Sequence, residues 1–596
     1  MKITHHYTKQ PVSKMVNASQ AFLMVNNKKD FISFYPETSS RYEGFFMRTA
    51  KGYIKILAGI EISGNLKPLE MSVNHLFSTV GRKYHNFSES FSLDKESSVV
   101  IWEATEKQKI KLFLDTRGIF DSPDFGRNFE ITEKEGMTLV KYTDNTAEPI
   151  FVAIIAGNLK LLKEWSKKVY ARDAQRNSAP YSLYEFLLGE AETEKVIISA
   201  ALTESEAINK ANEFLTVSKI GFVKKDKENK RQTKLTDKSA LETARYCARR
   251  NLEDLLRPDG LMAGFPWFVH PWSRDELLSL PALEEAKAKK ILKRYLRADW
   301  PGGKIPVIIG SAHCSSDALG TLCWAILHAE FKLSLDDKIH LAGKILKALE
   351  ELEKQENSLG FIYSGYNESW MDTIGREGYP IEIQTLYSKI LELAYFLTGD
   401  VKYDKKRSQL LKNIRLYFLN EKVGITDILS DDTARPNIFL AAFFAPEILT
   451  NKEWEKCFDK VLPKLWLSWG GLASVEKGSP FYKDISSGES NQSYHNGDSW
   501  FMVNNIAALV LWNVNHRKYG RFIGKILEAS TEEILYHNLI GHAGEISSAK
   551  SLDSWGCGSQ AFSASTYLYL VRNMDIRKKG FIRERVKNIA GKSYVF

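Results

Sequence analysis

"LETARYCARRNLEDLL", residues 241–256, is the first long stretch in which apolar side chains recur every three to four residues. This spacing is typical of an amphipathic helix, and it continues through the rest of the chain. Directly before it, the run KKDKENKRQTK at 224–234 mixes basic with acidic residues. Such mixing favours a solvated linker over a nucleic-acid patch. The sequence therefore predicts a charged linker at 223–236 and an all-helical domain at 237–596.

The residues before the linker follow a different period. Short alternating segments, such as YIKILAGIEI at 53–62 and KIKLFLD at 109–115, are separated by Gly, Asn, Asp and Pro. Many short alternating strands with turn signals between them predict an antiparallel β-sandwich at 1–222. One stretch inside it, LKLLKEWSKKVYARDAQRN at 159–177, is predicted to be a helix instead.

The helical segments after residue 237 come in pairs, with a brief link inside most pairs and a long loop between pairs. The pattern contains roughly a dozen helices and about six long loops rich in Gly, Pro and Trp. Loops of that length inside a compact domain usually carry function. This arrangement predicts a closed ring of helix pairs, an (α/α)6 barrel or toroid, with the long loops and a pocket at one mouth.

Composition excludes several classes of protein. The formal net charge of +9 is spread along 596 residues without an arginine-rich arm, so no nucleic-acid partner is expected. The five cysteines lack CxxC spacing, which argues against a zinc site or a disulfide framework and favours a reducing compartment. The N-terminus lacks a signal-peptide pattern, and no segment approaches the roughly 18 apolar residues of a membrane span. We therefore expect a cytoplasmic protein that does not associate with a membrane.

The first two long loops carry candidate functional residues that also have structural interpretations. The first, GLMAGFPWFVHPWSRDELLSLPAL at 260–283, contains Trp267, Arg274 and Asp275, and the second, at 302–322, contains Asp317. Each aspartate precedes or begins a helical pattern and would also serve as a helix N-cap. The sequence leaves both interpretations open for Asp275 and favours the cap for Asp317.

The remaining loops supply the other candidates. These are Trp370, Asp372, Arg376, Glu382 and Gln384 in the third loop, Arg435 and Asn437 in the fourth, His495, Asn496, Asp498 and Trp500 in the fifth, and Glu545 in the sixth. His495 and His542 have no second His or Cys at ligand spacing, so neither a metal nor another cofactor is predicted. The chain also lacks a GxSxG elbow, a phosphate-binding loop and a dinucleotide fingerprint.

Carboxylates, amides and tryptophans together suit a ligand with many hydroxyl groups and flat apolar faces, such as a sugar. Cleavage of a glycosidic bond needs one protonated carboxyl group to donate to the leaving oxygen and a second group to activate water or attack the anomeric carbon. Asp372, directly behind Trp370 and Met371, is either a helix cap or such a proton donor.

Five loop motifs resemble, in order, the C-terminal glucosidase domain of glycogen debranching enzymes, the amylo-α-1,6-glucosidases. They are AGFPWF with WSRDELLSLPAL, NESWMDTIGREGYPIEIQTLY, RPNIFLAAFF, YHNGDSW, and HAGEISSA with GCGSQAFSAS. The stretch FLDTRGIFDSPDFGRNFEI at 113–131 is similar to the β-sandwich domain of the shorter prokaryotic members.

The resemblance implies an (α/α)6 barrel and an inverting hydrolysis that removes the α-1,6-linked glucose stub of an α-glucan such as glycogen or limit dextrin. It implies Asp372 as general acid and Glu545 as general base, with Asp498 as an alternative base. The expected glucose-binding residues are Trp267, Arg274, Asp275, Asp317, Glu382, Gln384, His495 and Trp500.

Two other functions remain open on the sequence. Another inverting (α/α)6 glucosidase, such as a glucoamylase, a trehalase or a hydrolase of small glucosides, would have the same pair of carboxyl groups and different subsites. A non-catalytic glycan-binding protein would keep the aromatic residues and would not need both Asp372 and Glu545.

Overall fold

The structure is a computed structural model. It describes residues 1–578 apart from 8–10, 18–19, 36–39, 65, 76–78, 124, 145–147, 216–237, 330–332 and 489–491. The chain divides into two compact units, Met1–Cys247 with Thr531–His542, and Ala248–Ser530 with Ala543–Phe596.

Strands dominate the N-terminal part. Their bounds are β1 Lys2–His6, β2 Val12–Met15, β3 Ala21–Val25, β4 Phe31–Phe34, β5 Gly44–Thr49, β6 Gly52–Ile62, β7 Glu70–Asn74, β8 Thr79–Lys83, β9 Ser88–Leu93, β10 Val99–Gly118, β11 Asn128–Lys134, β12 Met137–Thr143, β13 Ile150–Ile155, β14 Lys160–Val169 and β15 Ser182–Ala201.

Strands of two residues each lie between the helices of the C-terminal part. They are β16 Leu256–Arg257, β17 Gly260–Leu261, β18 Gly264–Phe265, β19 Ile305–Pro306, β20 Cys314–Ser315, β21 Leu419–Asn420, β22 Gly424–Ile425, β23 Trp466–Leu467, β24 Gly471–Leu472, β25 Ser499–Trp500, β26 Leu539–Ile540, β27 Ile546–Ser547, β28 Ser554–Trp555 and β29 Ser559–Gln560.

One large sheet runs through the first unit in the order β2-β1-β7-β8-β9-β10-β6-β5-β4-β3-β26. The long strand β15 also pairs with β10 and continues through β13, β12 and β11. Most ladders are antiparallel, as predicted, but β1 pairs with β7 and β26 pairs with β3 in parallel. Parallel partners need a long connection between them, and local alternation does not indicate one.

The helices are α1 Ala171–Gln175, α2 Glu204–Glu213, α3 Lys238–Leu255, α4 Ser273–Ser279, α5 Glu285–Arg297, α6 Ala318–His328, α7 Leu335–Glu353, α8 Ile381–Thr398, α9 Val401–Phe418, α10 Asn437–Phe444, α11 Asn451–Leu465, α12 Phe501–Asn515, α13 Gly520–Tyr536 and α14 Ala561–Lys578. No helix in the described part of the chain is both long enough and apolar enough to span a membrane.

Alternate helices of the second unit form a cycle of neighbours. Helix α4 contacts α6, and the contacts continue through α8, α10, α12 and α14, which returns to α4. Helices α10 and α12 are buried on almost every side over Asn437–Phe444 and over the first eleven residues of α12. Apolar residues all round a helix are expected where it lies inside a protein and not on its surface.

The predicted helix at 159–177 is wrong for most of its length. Residues Lys160–Val169 form β14, which pairs with β15, and only Ala171–Gln175 is helical. Trp165 of β14 packs edge-on against Phe186, with ring centroids 5.2 Å apart, and Arg127 lies over its ring at 4.6 Å. Cross-strand contacts of this kind override a weak helical pattern.

A mainly β region precedes a mainly helical one, as predicted. The division falls within α3 and within α13, so residues 531–542 join the first unit although the prediction assigned 237–596 to the helical domain. The predicted linker at 223–236 lies outside the described residues.

Candidate active site

A cavity of about 200 Å³ opens among the loops of the second unit. Its lining is Ala263, Phe268, Trp272, Arg274, Asp275, Trp370, Asp372, Thr373, Tyr494, Trp500, Met502, Glu545, Gln560 and Phe562. The volume is below the ~300–1,000 Å³ of pockets for drug-sized ligands, and it suits a small polar molecule with apolar faces. Both predicted catalytic residues line it.

Asp372 lies in the loop between α7 and α8, and its side chain is 32% exposed. Arg274 Nη1 lies 3.5 Å from Asp372 Oδ2. Burial raises the pKa of Asp372, and the neighbouring Asp317 raises it further, while the Arg274 guanidinium opposes both. A carboxyl group in this environment keeps its proton to higher pH than an exposed aspartate does.

Glu545 is buried, at 2% exposure, and two donors hold its carboxylate. The Tyr494 hydroxyl donates to Oε1, and the Cys557 backbone N–H donates to Oε2 over 2.8 Å. Because an ionised carboxylate is purely an acceptor, two donated hydrogen bonds suit its charged form.

Local pairing fixes where Glu545 lies. The strand β27 that follows it pairs with β25, so that Ile546 lies opposite Trp500, and the Phe501 N–H donates to the Glu545 carbonyl over 3.2 Å. Gly556 has φ +67°, and a Cβ there would approach Glu545 Oε2 to 2.5 Å. The chain therefore needs glycine at 556 for both its backbone conformation and the room it leaves to the carboxylate.

Asp275 and Asp317 do not act as the helix caps that the sequence allowed. Asp275 lies in the first turn of α4, where Gln560 donates to its Oδ1 over 2.8 Å. Burial raises the pKa of Asp275 to about 7. Asp317 stands at the N-cap position of α6 without a side-chain capping bond, and its Oδ2 accepts from Arg274 Nε over 2.7 Å.

Three aromatic side chains support one wall of the cavity. The His495 ring stacks on Trp500 with centroids 4.9 Å apart, and both meet Trp370 nearly at right angles. Thr373 Oγ1 lies 2.7 Å from His495 Nδ1. Burial and three nearby arginines lower the pKa of His495 well below its usual value, so the ring is neutral. His495 therefore orients the tryptophans from behind and does not line the cavity itself.

Four predicted substrate-binding residues form a buried polar network behind the cavity instead of lining it. The four are Arg376, Glu382, Arg435 and Asn437. Asp427, which was not predicted from the sequence, lies at the centre of the network. Arg376 makes two-pronged ion pairs with Glu382 and Asp427 at 2.7–3.0 Å. Asn437 accepts from Trp370 Nε1 over 2.7 Å and donates to Asp427 over 2.6 Å.

Five further predicted binding residues, Asp317 among them, also lie outside the cavity lining. Gln384 bonds the backbone of Ile362 in both directions, Asn496 accepts from Arg435, and Trp267 packs edge-on against Phe268. Asp498 Oδ2 accepts from Ser486 and Ser493 over 3.0 and 2.7 Å. Burial raises the pKa of Asp498 to about 7.

Sequence reasoning did not select several residues that line the cavity, among them Phe268, Thr373, Met502, Gln560 and Phe562. Tyr494, the hydroxyl donor to Glu545, lies in the fifth loop and Trp272 in the first, and neither was among the predicted site residues. A glutamine or a methionine inside a helical pattern carries no local signal of its own. Only the meeting of the first, third, fifth and sixth loops brings these side chains to one place.

Asp372 and Glu545 lie in different environments within one small cavity, which also contains Asp275 and is walled by aromatic rings. One is partly exposed with a raised pKa, and the other is buried and held by two donors. Pairs of this kind divide the roles of acid and base.

Comparison with solved structures identifies a similar fold. The chain is similar to a bacterial glucoamylase complexed with acarbose, at 11% identity and a TM-score of 0.61, over 93% of this chain and 91% of the other. A mannosylglycerate hydrolase of family GH63 from Thermus thermophilus, in complex with glucose, matches at 12% identity and a TM-score of 0.43, over 55% of this chain and 100% of the other. No curated protein sequence matches the chain.

A family model described as amylo-alpha-1,6-glucosidase matches residues 241–569, more than half of the chain. The matched range contains every residue that lines the cavity. The chain belongs to the amylo-alpha-1,6-glucosidase family of glycoside hydrolases.

Proposed function

We propose that this protein is an inverting amylo-α-1,6-glucosidase that removes the single α-1,6-linked glucose of a trimmed branch in glycogen or limit dextrin. Its helical part is an (α/α)6 barrel that follows an N-terminal β-sandwich along the chain. The cycle of contacts from α4 through α14 supports the barrel. The pairing of Asp372 and Glu545 in one small cavity is the observation that carries the proposed activity.

Asp372 is the general acid in this proposal. A proton donor near neutral pH needs a raised pKa, and the cavity supplies it through burial and the nearby Asp317 charge. The 32% exposure of the side chain leaves its carboxyl open to a leaving oxygen. In a helix-capping aspartate the side-chain oxygens accept hydrogen bonds from backbone N–H groups. Asp372 Oδ2 instead lies beside the Arg274 guanidinium.

Glu545 is the general base, and its hydrogen bonds from Tyr494 and Cys557 support this role. Its charged form would take a proton from water as the water attacks the anomeric carbon. Asp498 is the weaker candidate, because it does not line the cavity and two serine hydroxyls occupy its Oδ2.

The walls of the cavity fit a single glucose unit. Trp370 and Trp500 offer flat faces to the apolar side of a sugar ring, and Arg274 and Asp275 offer a donor and an acceptor for its hydroxyls. A volume of about 200 Å³ favours recognition of one terminal residue over a stretch of chain.

The first test follows the anomeric protons of released glucose by NMR at early times. The substrates are a limit dextrin with single-glucose branches and linear maltooligosaccharides. β-Glucose from the branched substrate alone is the expected result. β-Glucose mainly from the linear chain would replace the proposal with a glucoamylase, and α-glucose would contradict inversion. No glucose from either would leave a small-glucoside hydrolase or a glycan-binding protein.

Substitution then tests the two roles. Asp372→Asn and Glu545→Gln should each lower kcat by about 10²–10⁴ while the fold and sugar binding persist. The matched surface variants Asp432→Asn and Glu421→Gln should keep full activity, because both side chains are exposed at 47% or more. Normal turnover in either cavity variant would remove that residue from its role.

A further inference from the structure

A buried cluster of two histidines and one cysteine lies in the first unit. It contains His5 of β1, His75 directly after β7, and Cys247 of α3, which are separated by 70 and 172 residues along the chain. His5 and Cys247 are fully buried, and His75 is 9% exposed. Motif reasoning from local spacing misses such a cluster, because no two of its members are neighbours in sequence.

The parallel ladder of β1 and β7 brings the two histidines together. His5 lies opposite Val73, and His75 is two residues further on, so both side chains point to the same face of the sheet. The His75 N–H donates to the His6 carbonyl over 3.3 Å, which extends the ladder to the second histidine. The two rings are nearly parallel, with centroids 5.2 Å apart.

The distances among the side-chain atoms are close to those of a metal centre. His5 Nδ1 lies 2.9 Å from His75 Nε2, and Cys247 Sγ lies 3.8 Å from the same nitrogen. All three atoms lie within 4.8 Å of one another. Tetrahedral zinc with bonds of about 2.05 Å to nitrogen and about 2.3 Å to sulfur would separate two nitrogens by about 3.3 Å and a nitrogen from a sulfur by about 3.6 Å. The two distances to His75 Nε2 thus differ from these values by a few tenths of an ångström, and His5 Nδ1 and Cys247 Sγ lie within 4.8 Å of each other.

The protonation state of His5 also suits a ligand. Its Nε2 lies 2.6 Å from the Leu535 carbonyl, which only accepts, so Nε2 carries the proton and Nδ1 keeps its lone pair. A backbone carbonyl that fixes the outer nitrogen is the usual support of a metal-binding histidine.

The buried hydroxyl group of Tyr536 lies near the cluster, and a water molecule bound to a metal there would give it a hydrogen-bond partner. The Tyr536 ring meets His5 edge-on at 5.7 Å, and its buried hydroxyl has no hydrogen-bond partner in the described part of the chain. Tyr7 and Tyr246 stack on each other at 4.0 Å, and both meet His75 edge-on. Aromatic rings therefore border the cluster, and water bound to a metal there would have the Tyr536 hydroxyl as a candidate partner.

We propose that His5 Nδ1, His75 Nε2 and Cys247 Sγ form a site for a divalent transition metal of the zinc class, with a water molecule in the fourth position. One nitrogen pair and one thiolate favour this class over magnesium or calcium, which prefer oxygen ligands. On binding, Cys247 loses its thiol proton to solvent, and the His75 proton moves from Nε2 to Nδ1. The metal links β1, the end of β7 and α3 within the first unit and stabilises it.

Cobalt substitution tests the site directly in the full-length protein. After treatment with a chelator, titration with Co²⁺ should produce the visible bands of a tetrahedral site and the near-ultraviolet band of a thiolate ligand, saturating at about one equivalent per chain. Cys247→Ala should abolish the thiolate band. Cys314→Ser is the matched control, because Cys314 is a half-buried free cysteine of the second unit, and it should leave the band unchanged.

A second measurement covers the case in which Cys247→Ala fails to fold. Zn²⁺ added to the chelator-treated wild type should raise Tm by several degrees, and His75→Gln should lose most of that rise. Absence of both the cobalt bands and the Zn²⁺-dependent rise in Tm in the wild type would overturn the proposal. So would a thiolate band that persists in Cys247→Ala and disappears in Cys314→Ser.

Discussion

The charge on one arginine limits how far burial raises the pKa of the proposed acid. Arg274 lies between Asp317, at 2.7 Å, and Asp372, at 3.5 Å. Its positive charge favours the ionised form of Asp372, in opposition to burial and to the Asp317 charge, which both raise the pKa. A general acid acts only while protonated, so activity should fall as pH rises through the pKa of Asp372.

Arg274→Gln should therefore move the alkaline limb of the pH profile of kcat/KM to higher pH. Removal of the cation raises the pKa of Asp372 further, and the unpaired Asp317 acts in the same direction. Arg274→Lys keeps the charge and should keep the limb near its original position. The position of the limb is the readout, since both variants also weaken sugar binding. An alkaline limb that moves to lower pH in Arg274→Gln would contradict Asp372 as the acid.

Asp498 gives a test that separates a structural carboxyl group from a catalytic one. Its pKa rises from 3.8 to about 7 through burial, so the folded protein holds a proton that the unfolded chain releases between these values. The contribution of Asp498 to stability is thus greatest at low pH and falls as pH rises from about 4 to about 7, by about 2–4 kcal/mol in total.

Asp498→Asn should remove this dependence. The unfolding free energy of the variant minus that of the wild type should be larger at pH 8 than at pH 5 by about 2 kcal/mol or more. Urea denaturation of both proteins at the two pH values measures this difference. Its kcat should stay within about tenfold of the wild type, because Glu545 is the proposed base. A loss of activity as large as that of Glu545→Gln would make Asp498 the base instead.

At the scale of elements, the loop that carries Asp372 depends on a buried ion network. Arg376 joins Glu382, at the start of α8, to Asp427, which also bonds Asn437 at the start of α10. Since Asn437 accepts from Trp370, the network connects helices α8 and α10 to one wall of the cavity. Arg376, Glu382 and Asn437 were expected to bind substrate, and their burial supports a positioning role instead.

Arg376→Gln should lower the unfolding free energy by about 3–5 kcal/mol, because it leaves Glu382 buried without its cation and Asp427 with the more distant Arg435 at 3.8 Å. The exposed pair of Arg415 with Glu453 is the control, and Arg415→Gln should cost less than about 1 kcal/mol. Urea denaturation of both variants provides the measurement. Equal losses in the two variants would show that the buried network does not stabilise the second unit.

At the scale of the whole molecule, the two units do not follow the order of the chain. Residues 531–542 belong with Met1–Cys247, because β26 pairs with β3 and the Leu535 carbonyl accepts from His5. The first unit is therefore completed by a segment that comes more than 500 residues after the strand with which it pairs.

A fragment comprising residues 1–222 should consequently fail to unfold cooperatively. It lacks β26, which leaves β3 with an unpaired edge, and it lacks the end of α13. Residues 1–247 joined to 531–542 by a flexible glycine-serine linker should recover a cooperative transition by circular dichroism. Cooperative unfolding of the 1–222 fragment at the Tm of the joined chain would contradict this prediction.

The helical and β regions could be predicted from the sequence because hydrophobic period is a local property. The period of 3.6 after residue 237 and the period of two before residue 222 mark the two regions. At 159–177 the periods were ambiguous, and pairing of β14 with β15 decided the outcome. The loop motifs likewise led to the family, because they are contiguous stretches of chain that need no knowledge of packing.

The cavity could be predicted only in part. Asp372, Glu545, Arg274, Asp275, Trp370 and Trp500 line it as the sequence analysis expected, whereas Arg376, Glu382, Gln384 and Asn437 lie behind it. Local sequence does not distinguish a polar side chain that faces a ligand from one that pairs in the interior. The distinction depends on which helices pack together, and that is settled by contacts between distant segments.

The sequence by itself determined the β region, the helical region, the six long loops and the family. The reason is that hydrophobic periodicity and motifs are properties of contiguous residues. Tertiary structure alone decided which carboxylates share a cavity, which pair with arginines, and how His5, His75 and Cys247 come together. The physical reason is that hydrogen bonds, burial and pKa shifts depend on neighbours in space, and the residues that supply them here lie tens to hundreds of positions apart.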